Sequence, residues 1–274
     1  FLFACELARG GHLGKIQAVE VAAPGPQYQP KYDGPMEAQP VPEGFDWAMW
    51  RGPAPDKPYN PGRVAWPDWY LIWDYCAGFI CNWGVHHLDI ANWGEPRIGS
   101  GAFDVECRAN YREKGFTDNV EGWDATFRYA DGLTMRFKDA GQQKAGCRFI
   151  GENGWVHVDR EGGARAKVTP VDPGVRRGLW AEPESLLQTK IPEGGGRLYR
   201  SDQHQDDFLN CVRNRKDPVS DVDATHIASY LGLVADIAGR LRRPLKWDPK
   251  AERFVGDDEA NAMLGRPMHN GWKL

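Results

Sequence analysis

Gly122-Trp123-Asp124-Ala125-Thr126-Phe127-Arg128-Tyr129, then Ala130-Asp131-Gly132, then Leu133-Thr134-Met135-Arg136-Phe137, is the run whose reading decides the fold. Apolar and polar residues alternate with a period of two on both sides of a turn signal, the pattern of neighbouring antiparallel strands that bury one face. Working outward, the same alternation predicts strands at 102–111, 147–150 and 155–159, the last two joined across Glu152-Asn153-Gly154, and an earlier strand over 15–21. Helical spacing flanks this block at 1–8, closed by Gly10 and Gly11, at 78–93, at 201–215 and at 221–241. In the last of these Ile227, Leu231, Val234, Ala238 and Leu241 form an apolar stripe, with Asp221 placed to cap the N-terminus. Strands grouped in the middle with helices around them predict an α+β fold, an open and mostly antiparallel β-sheet with helices on one face.

Between Pro24 and Pro67 the texture changes, since 11 of the 20 prolines fall there. Proline removes a backbone donor and fixes φ, so long helices and central strands are not expected. With its many aromatic residues the segment reads as a long ordered loop, running over 24–75. Composition is otherwise that of a globular chain: 274 residues, 41% hydrophobic, 26% charged, formal net charge −4. These values exclude a disordered chain, a collagen and a polybasic nucleic-acid binder. The absence of 18 consecutive apolar residues excludes a membrane-spanning helix. Six cysteines, sparse and often in apolar runs, read as reduced buried thiols and point to the cytoplasm, with a periplasmic or exported location as the alternative. The chain opens in mid-pattern at Phe1, which leads us to expect a natural beginning upstream.

No G-x-G-x-x-G, G-x-x-x-x-G-K-[ST] or G-x-S-x-G occurs, so a dinucleotide or triphosphate cradle and a nucleophile elbow are not visible; cofactor-binding residues are unknown at this level. Gly162-Gly163 and Gly194-Gly195-Gly196 lack the strand and helix context and read as surface turns. Cys76, Cys81, His86 and His87 do not suggest a metal, because five-residue spacing on a helix turns successive side chains off a shared face.

The chemistry-bearing stretch is Trp66-Pro67-Asp68-Trp69-Tyr70-Leu71-Ile72-Trp73-Asp74-Tyr75-Cys76-Ala77-Gly78-Phe79-Ile80-Cys81-Asn82-Trp83-Gly84-Val85-His86-His87-Leu88-Asp89. On a helix Asn82, His86, Asp89 and Trp93 recur at four, three and four residues and share one stripe. Aromatic planes beside hydrogen-bonding side chains suit a sugar ring, and a histidine near neutral pKa can take a proton from a hydroxyl as it is oxidised. A tryptophan-rich core helix with a capped histidine fits the same letters.

The stretch resembles the second half of the Gfo/Idh/MocA family of NAD(P)-dependent oxidoreductases, the glucose-fructose oxidoreductase and inositol dehydrogenase-like proteins. Cys5-Glu6-Leu7-Ala8-Arg9-Gly10-Gly11-His12-Leu13-Gly14-Lys15-Ile16 looks like the family's last nucleotide-domain helix and its passage into the sheet domain. Trp50-Arg51-Gly52-Pro53-Ala54, Pro58-Tyr59-Asn60-Pro61 and the ending Lys246-Trp247-Asp248, Phe254-Val255-Gly256-Asp257 and Arg266-Pro267-Met268 are similar to a bacterial branch. The resemblance implies that residues 1–14 are the remnant of a nucleotide-binding domain and 15–274 a substrate-binding and oligomerisation domain. It implies His86 as catalytic base with Asn82 beside it, and Asp89 as a substrate ligand. Asn82 stands where the family has Asp or Asn, and as an amide it can orient groups but cannot carry a proton. His87, Arg63, Trp69, Tyr70, Trp73 and His204 are further candidate substrate contacts. His204 opens a helix whose Phe208 and Cys211 are expected to face the core, and His226 reads as structural.

NAD or NADP, bound mainly by a domain outside this chain, is the implied cofactor, and a carbohydrate the implied small-molecule partner. A homo-oligomer through the sheet's outer face is also implied, on the ground that this face would otherwise expose a large apolar surface. Two other functions remain open: a carbohydrate-binding or scaffold domain without redox chemistry, and a redox-neutral sugar lyase or hydrolase.

Overall fold

A computed structural model describes residues 1–27, 29–160, 178–192 and 195–273. The turn expected at Gly162-Gly163 lies outside them, as does Gly194. Helix α1 (Leu2–Arg9) leads into strand β1 (Ile16–Ala23), with Gly10 closing the helix and Gly11 taking a φ of 76°. The proline-rich segment follows, its described residues carrying only short helical turns such as Trp47–Arg51 and Pro61–Val64. A single turn at Phe79–Asn82 runs into α2 (Gly84–Gly94), and Trp83 between them keeps a helical backbone. Strands β2 (Phe103–Tyr111), β3 (Val120–Tyr129), β4 (Thr134–Asp139), β5 (Gly146–Gly151), β6 (Gly154–Val158) and β7 (Leu179–Glu182) come next. Helices α3 (His204–Asn214) and α4 (Val222–Leu241) precede β8 (Leu245–Asp248) and β9 (Arg253–Phe254).

Among the described residues the strands form one sheet in the order β7-β6-β5-β1-β4-β3-β2-β8-β9. The meander β2-β3-β4 and the hairpin β5-β6 are antiparallel, as the alternation predicts. β1 enters between them, antiparallel to β5 and parallel to β4. Phe103, Val105, Trp123, Phe127, Met135, Phe137 and Phe149 lie in the core under α1, α2 and α4. Asp221 caps α4, its carboxylate accepting from the Ala224 amide at 2.8 Å.

The outer face corrects one expectation. From β1 to β5 it is largely charged: Arg128 meets Glu106 at 2.7 Å, Arg136 and Lys138 meet Asp124 at 3.2 and 3.1 Å, and Arg148 meets Glu20 at 3.4 Å. Side chains on adjacent strands pair across the pleat there, and the apolar residues on the same face, Ile150, Trp155 and Trp180, are half-buried at its β5 to β7 end. A second correction concerns Phe208, expected to face the core with Cys211. Cys211 is buried, whereas Phe208 is 58% exposed, because α3 is held by its Asp207 and Cys211 edge.

Candidate functional site

The position of α2 follows from which of its residues can approach the sheet. Gly84, His87, Leu88, Ala91 and Gly94 are buried, a spacing that defines one helical face. Glycine is required at its end: a Cβ on Gly94 would sit 2.3 Å from the Phe149 ring. The chain reaches this helix through Gly78, whose φ of 80° and closeness to Asn119 exclude other residues. Asn119 clasps the incoming loop, donating from Nδ2 to the carbonyls of Tyr70 at 2.8 Å and Cys76 at 3.0 Å.

His87 is the polar pin under the helix. It is 2% exposed, and its Nδ1 lies 2.6 Å from the Ala22 carbonyl on β1. A carbonyl can only accept, so Nδ1 carries the proton and Nε2 accepts from Arg160 Nε at 3.4 Å. Burial, opposed by the Ala22 hydrogen bond and aided by Arg160, pushes this imidazole down to about 4, so it is neutral at ordinary pH. Both ring nitrogens are engaged by the chain itself.

With that face docked, Asn82, Asp89 and Trp93 are half-buried, Trp93 packing against the core, and of the four Asp89 and Trp93 line one cleft that Asn82 and His86 do not. His86 is exposed, with its ring 5.4 Å from that of Trp83. Partial burial and then Arg160 lower its pKa from 6.5, which keeps it an unprotonated base near neutrality. Asp89 is half-buried, and burial followed by the charge of Asp221 raises its carboxyl above 3.8. It lines a cleft of about 440 Å³ with Asn92 and Trp93 of α2, Arg9 of α1, and Ser220 and Asp221. The cleft thus holds two facing carboxylates, a guanidinium, an amide and an indole.

The remaining candidates fall into other places. His204 lines an adjoining cleft of about 450 Å³ that shares Val219 and Ser220 with the first. Tyr70 sits in an aromatic cluster with Trp66, Trp69 and Phe79 at the foot of the helical turn. Trp69 also lines a separate cleft with Trp50, Arg51 and Tyr75. Arg63 lies beside the Tyr75 hydroxyl. Trp73 is taken up by structure: its Nε1 donates to Asp236 at 3.3 Å, and Arg240 and Arg266 cover its ring at 4.3 and 3.9 Å from the centroid. His226 pairs with Glu252 at 2.8 Å on the surface.

Sequence reasoning missed Arg9, Asn92 and Arg160, and read Asp221 only as a cap. No local signal brings Arg9 or Asp221 to Asp89, since the cleft closes between segments far apart in the chain.

Residues 11–163 and 187–274 match the family model for the oxidoreductase family C-terminal alpha/beta domain of Gfo/Idh/MocA proteins. No curated protein matches the chain. Among solved structures, the WlbA dehydrogenase from Bordetella pertussis, in complex with NADH and UDP-GlcNAcA, is similar at 17% identity and a TM-score of 0.53, over 90% of this chain and 60% of that one. The aldose-aldose oxidoreductase from Caulobacter crescentus, complexed with glycerol, aligns at 15% identity and a TM-score of 0.51, over 89% and 59%. GenD2 from gentamicin A biosynthesis, in complex with NAD, aligns at 16% identity and 0.51, over 90% and 60%. The chain therefore spans about 60% of the length of these structures. The match over both stretches places this chain in the Gfo/Idh/MocA oxidoreductase family, as its C-terminal α/β domain.

Proposed function

We propose that this chain is the substrate-binding half of an NAD(P)-dependent oxidoreductase that oxidises a hydroxyl of a sugar, glycoside or cyclitol. The observation that carries the reading is an exposed, neutral imidazole, His86, on the same helical stripe as Asn82 and Asp89 and pinned from beneath by His87. The similar structures determined with NADH, NAD, UDP-GlcNAcA and glycerol support it.

The residues present fit the substrate side of such a centre and not the phosphate side. Among the described residues no strand, glycine-rich turn and helix follow one another as a cradle for the dinucleotide phosphates. NAD(P) would accept the hydride from the carbinol carbon, held by a nucleotide-binding half outside these residues.

This chain's own groups do the rest. His86 takes the hydroxyl proton as the carbonyl forms, and the Trp83 ring restricts its imidazole. Asn82 orients the substrate hydroxyl without exchanging a proton. Asp89, Asn92 and Arg9 hold further hydroxyls in the cleft, with Trp93 offering an apolar plane to ring C–H groups. Homo-oligomerisation through the outer sheet face, which carries charges of both signs, belongs to the same reading.

Titration of the chain with a panel of neutral polyols, read by tryptophan fluorescence and compared with Asp89→Asn, tests the substrate side. We expect a polyol response that Asp89→Asn weakens about tenfold or more, and no response to NAD. Tight NAD binding by the isolated chain would contradict the division of labour. Saturable sugar binding without NAD(P)-linked turnover in the natural polypeptide would favour a binding domain instead.

A further inference from the structure

The proline-rich segment builds a cleft that the stripe on α2 does not account for. It holds about 420 Å³, within the range of small-ligand sites, and Trp50, Arg51, Trp69, Asp74 and Tyr75 line it. It shares no residue with the cleft at Asp89. Two indoles thus meet in one concavity, and Trp50 keeps 36% of its surface exposed there.

The walls are fixed before any ligand arrives. Trp50 stacks on Trp47 at 5.2 Å and 20°, and the Tyr75 ring meets it edge-on at 5.2 Å. Trp47 is itself held, its Nε1 donating to the Lys57 carbonyl at 2.9 Å. Arg51 donates to the Pro55 carbonyl and to Asn270 Oδ1, both at 3.1 Å, while Asn270 Nδ2 donates to the Gly52 carbonyl at 2.7 Å and the His269 amide to that of Pro53 at 3.1 Å. Trp69 packs on Tyr70 at 4.1 Å between ring centroids. A rigid wall of this kind lowers the entropy lost on binding.

The chemistry of the lining selects the ligand. The two charges, Arg51 and Asp74, cancel, and each is already paired, with Asp56 and Lys57 respectively, both at 2.5 Å. Neither an anion nor a cation is favoured. Among the described residues neither the Trp50 nor the Trp69 indole N–H has an acceptor, and the pairing of Asp74 through Oδ2 leaves Oδ1 for a hydroxyl. Apolar planes with donors and a carboxylate at their edges suit a neutral sugar ring, whose C–H face stacks while its hydroxyls are held.

We propose that this cleft is a second saccharide site, taking a neutral sugar unit of an oligosaccharide on Trp50 and Trp69 with Asp74 as its hydroxyl acceptor. It goes beyond the dehydrogenase reading and does not rest on it.

Indole N–H NMR signals of chain 1–274 test this, with Trp50→Phe and Trp69→Phe assigning two of the twelve. The probes are neutral trisaccharides of glucose, galactose, mannose and xylose, with a polyproline peptide as control. At least one trisaccharide should shift both signals saturably. Asp74→Asn should weaken that response about tenfold or more, and so should Trp50→Ala read at the Trp69 signal, which carries the comparison should Asp74→Asn disturb the loop. Asp89→Asn should leave the affinity within about twofold, because it lines the other cleft.

Shifts confined to other indoles, or shifts that Asp74→Asn and Trp50→Ala leave undiminished, would overturn the site while the dehydrogenase reading, tested by NAD(P)-linked turnover, stood. The expected shifts without turnover in the natural polypeptide would support the site and sink that reading. Silence toward every trisaccharide, a response to the peptide alone, or ligand-free shifts of Trp50 and Trp69 that follow protein concentration would each overturn the proposal, the last two assigning the cleft to a proline-rich chain or to a second copy.

Discussion

His87 couples the stability of the site helix to pH. Its imidazole is buried and neutral, with a pKa of about 4 against 6.5 for a free histidine. Between those values the unfolded chain binds a proton that the folded chain does not, so stability falls as pH drops below 6.5 and the loss is complete once pH passes below 4. The difference of about 2.5 units, at 1.36 kcal/mol each, corresponds to about 3 kcal/mol, with a slope near 1.4 kcal/mol per pH unit inside the window. That is a large share of the 5–15 kcal/mol typical of a folded domain.

Urea unfolding between about pH 7.5 and 4.5 measures the effect. The comparison is His87→Asn, whose amide can still donate to the Ala22 carbonyl but does not titrate. The variant should keep most of its stability at neutral pH and lose about 1.4 kcal/mol per pH unit of the slope. Some slope should remain, because burial also pushes His157 down to about 4. An unchanged slope in His87→Asn would refute the claim that His87 is held neutral beneath the helix.

Other consequences are local. Gly94→Ala forces a methyl into the Phe149 ring and should cost about 1–3 kcal/mol in thermal or urea unfolding, with weaker substrate binding because α2 is pushed off the sheet. Asp236→Ala removes the carboxylate that holds Trp73, Tyr111 and Arg240, strands a half-buried guanidinium, and should cost about 3 kcal/mol or more, with faster proteolysis of the proline-rich loop. Self-association through the outer sheet face should weaken between low salt and about 0.5 M salt in sedimentation, because that face carries exposed charges of both signs. Salt-insensitive association would point to apolar contact elsewhere.

The sheet's meander was legible because alternation is a local signal and β2, β3 and β4 join through short connections. The place of β1 was not, since Ala18 pairs with Thr134 and Val19 with Met135 across more than a hundred residues, and parallel pairing leaves no turn to read. Strands β7, β8 and β9 escaped for another reason: four, four and two residues are too few to show a period.

The stripe of Asn82, His86 and Asp89 was legible because helix geometry alone puts those spacings on one side. Which side faces solvent was set by Gly84, His87 and Gly94 fitting the sheet. Aromatic residues were the least informative candidates. Trp73 looks like a ring-stacking residue in sequence, but Asp236, Arg240 and Arg266 enclose it, and only tertiary contacts distinguish that role from a substrate contact. Phe208 shows the converse: its helical spacing suggested burial, yet the anchored edge of α3 left it outside.

The central claim is that His86 serves as the proton acceptor on this stripe. Its most direct test is the steady-state kinetics of His86→Ala in the natural polypeptide, with NAD(P) and the polyol that the chain binds. General-base loss should lower kcat by about 10²–10⁴-fold with KM changed only a few-fold, and should remove the acidic limb of the pH–rate profile, which lies below 6.5. Turnover within a few-fold of the unmodified protein, with that limb intact, would contradict the account.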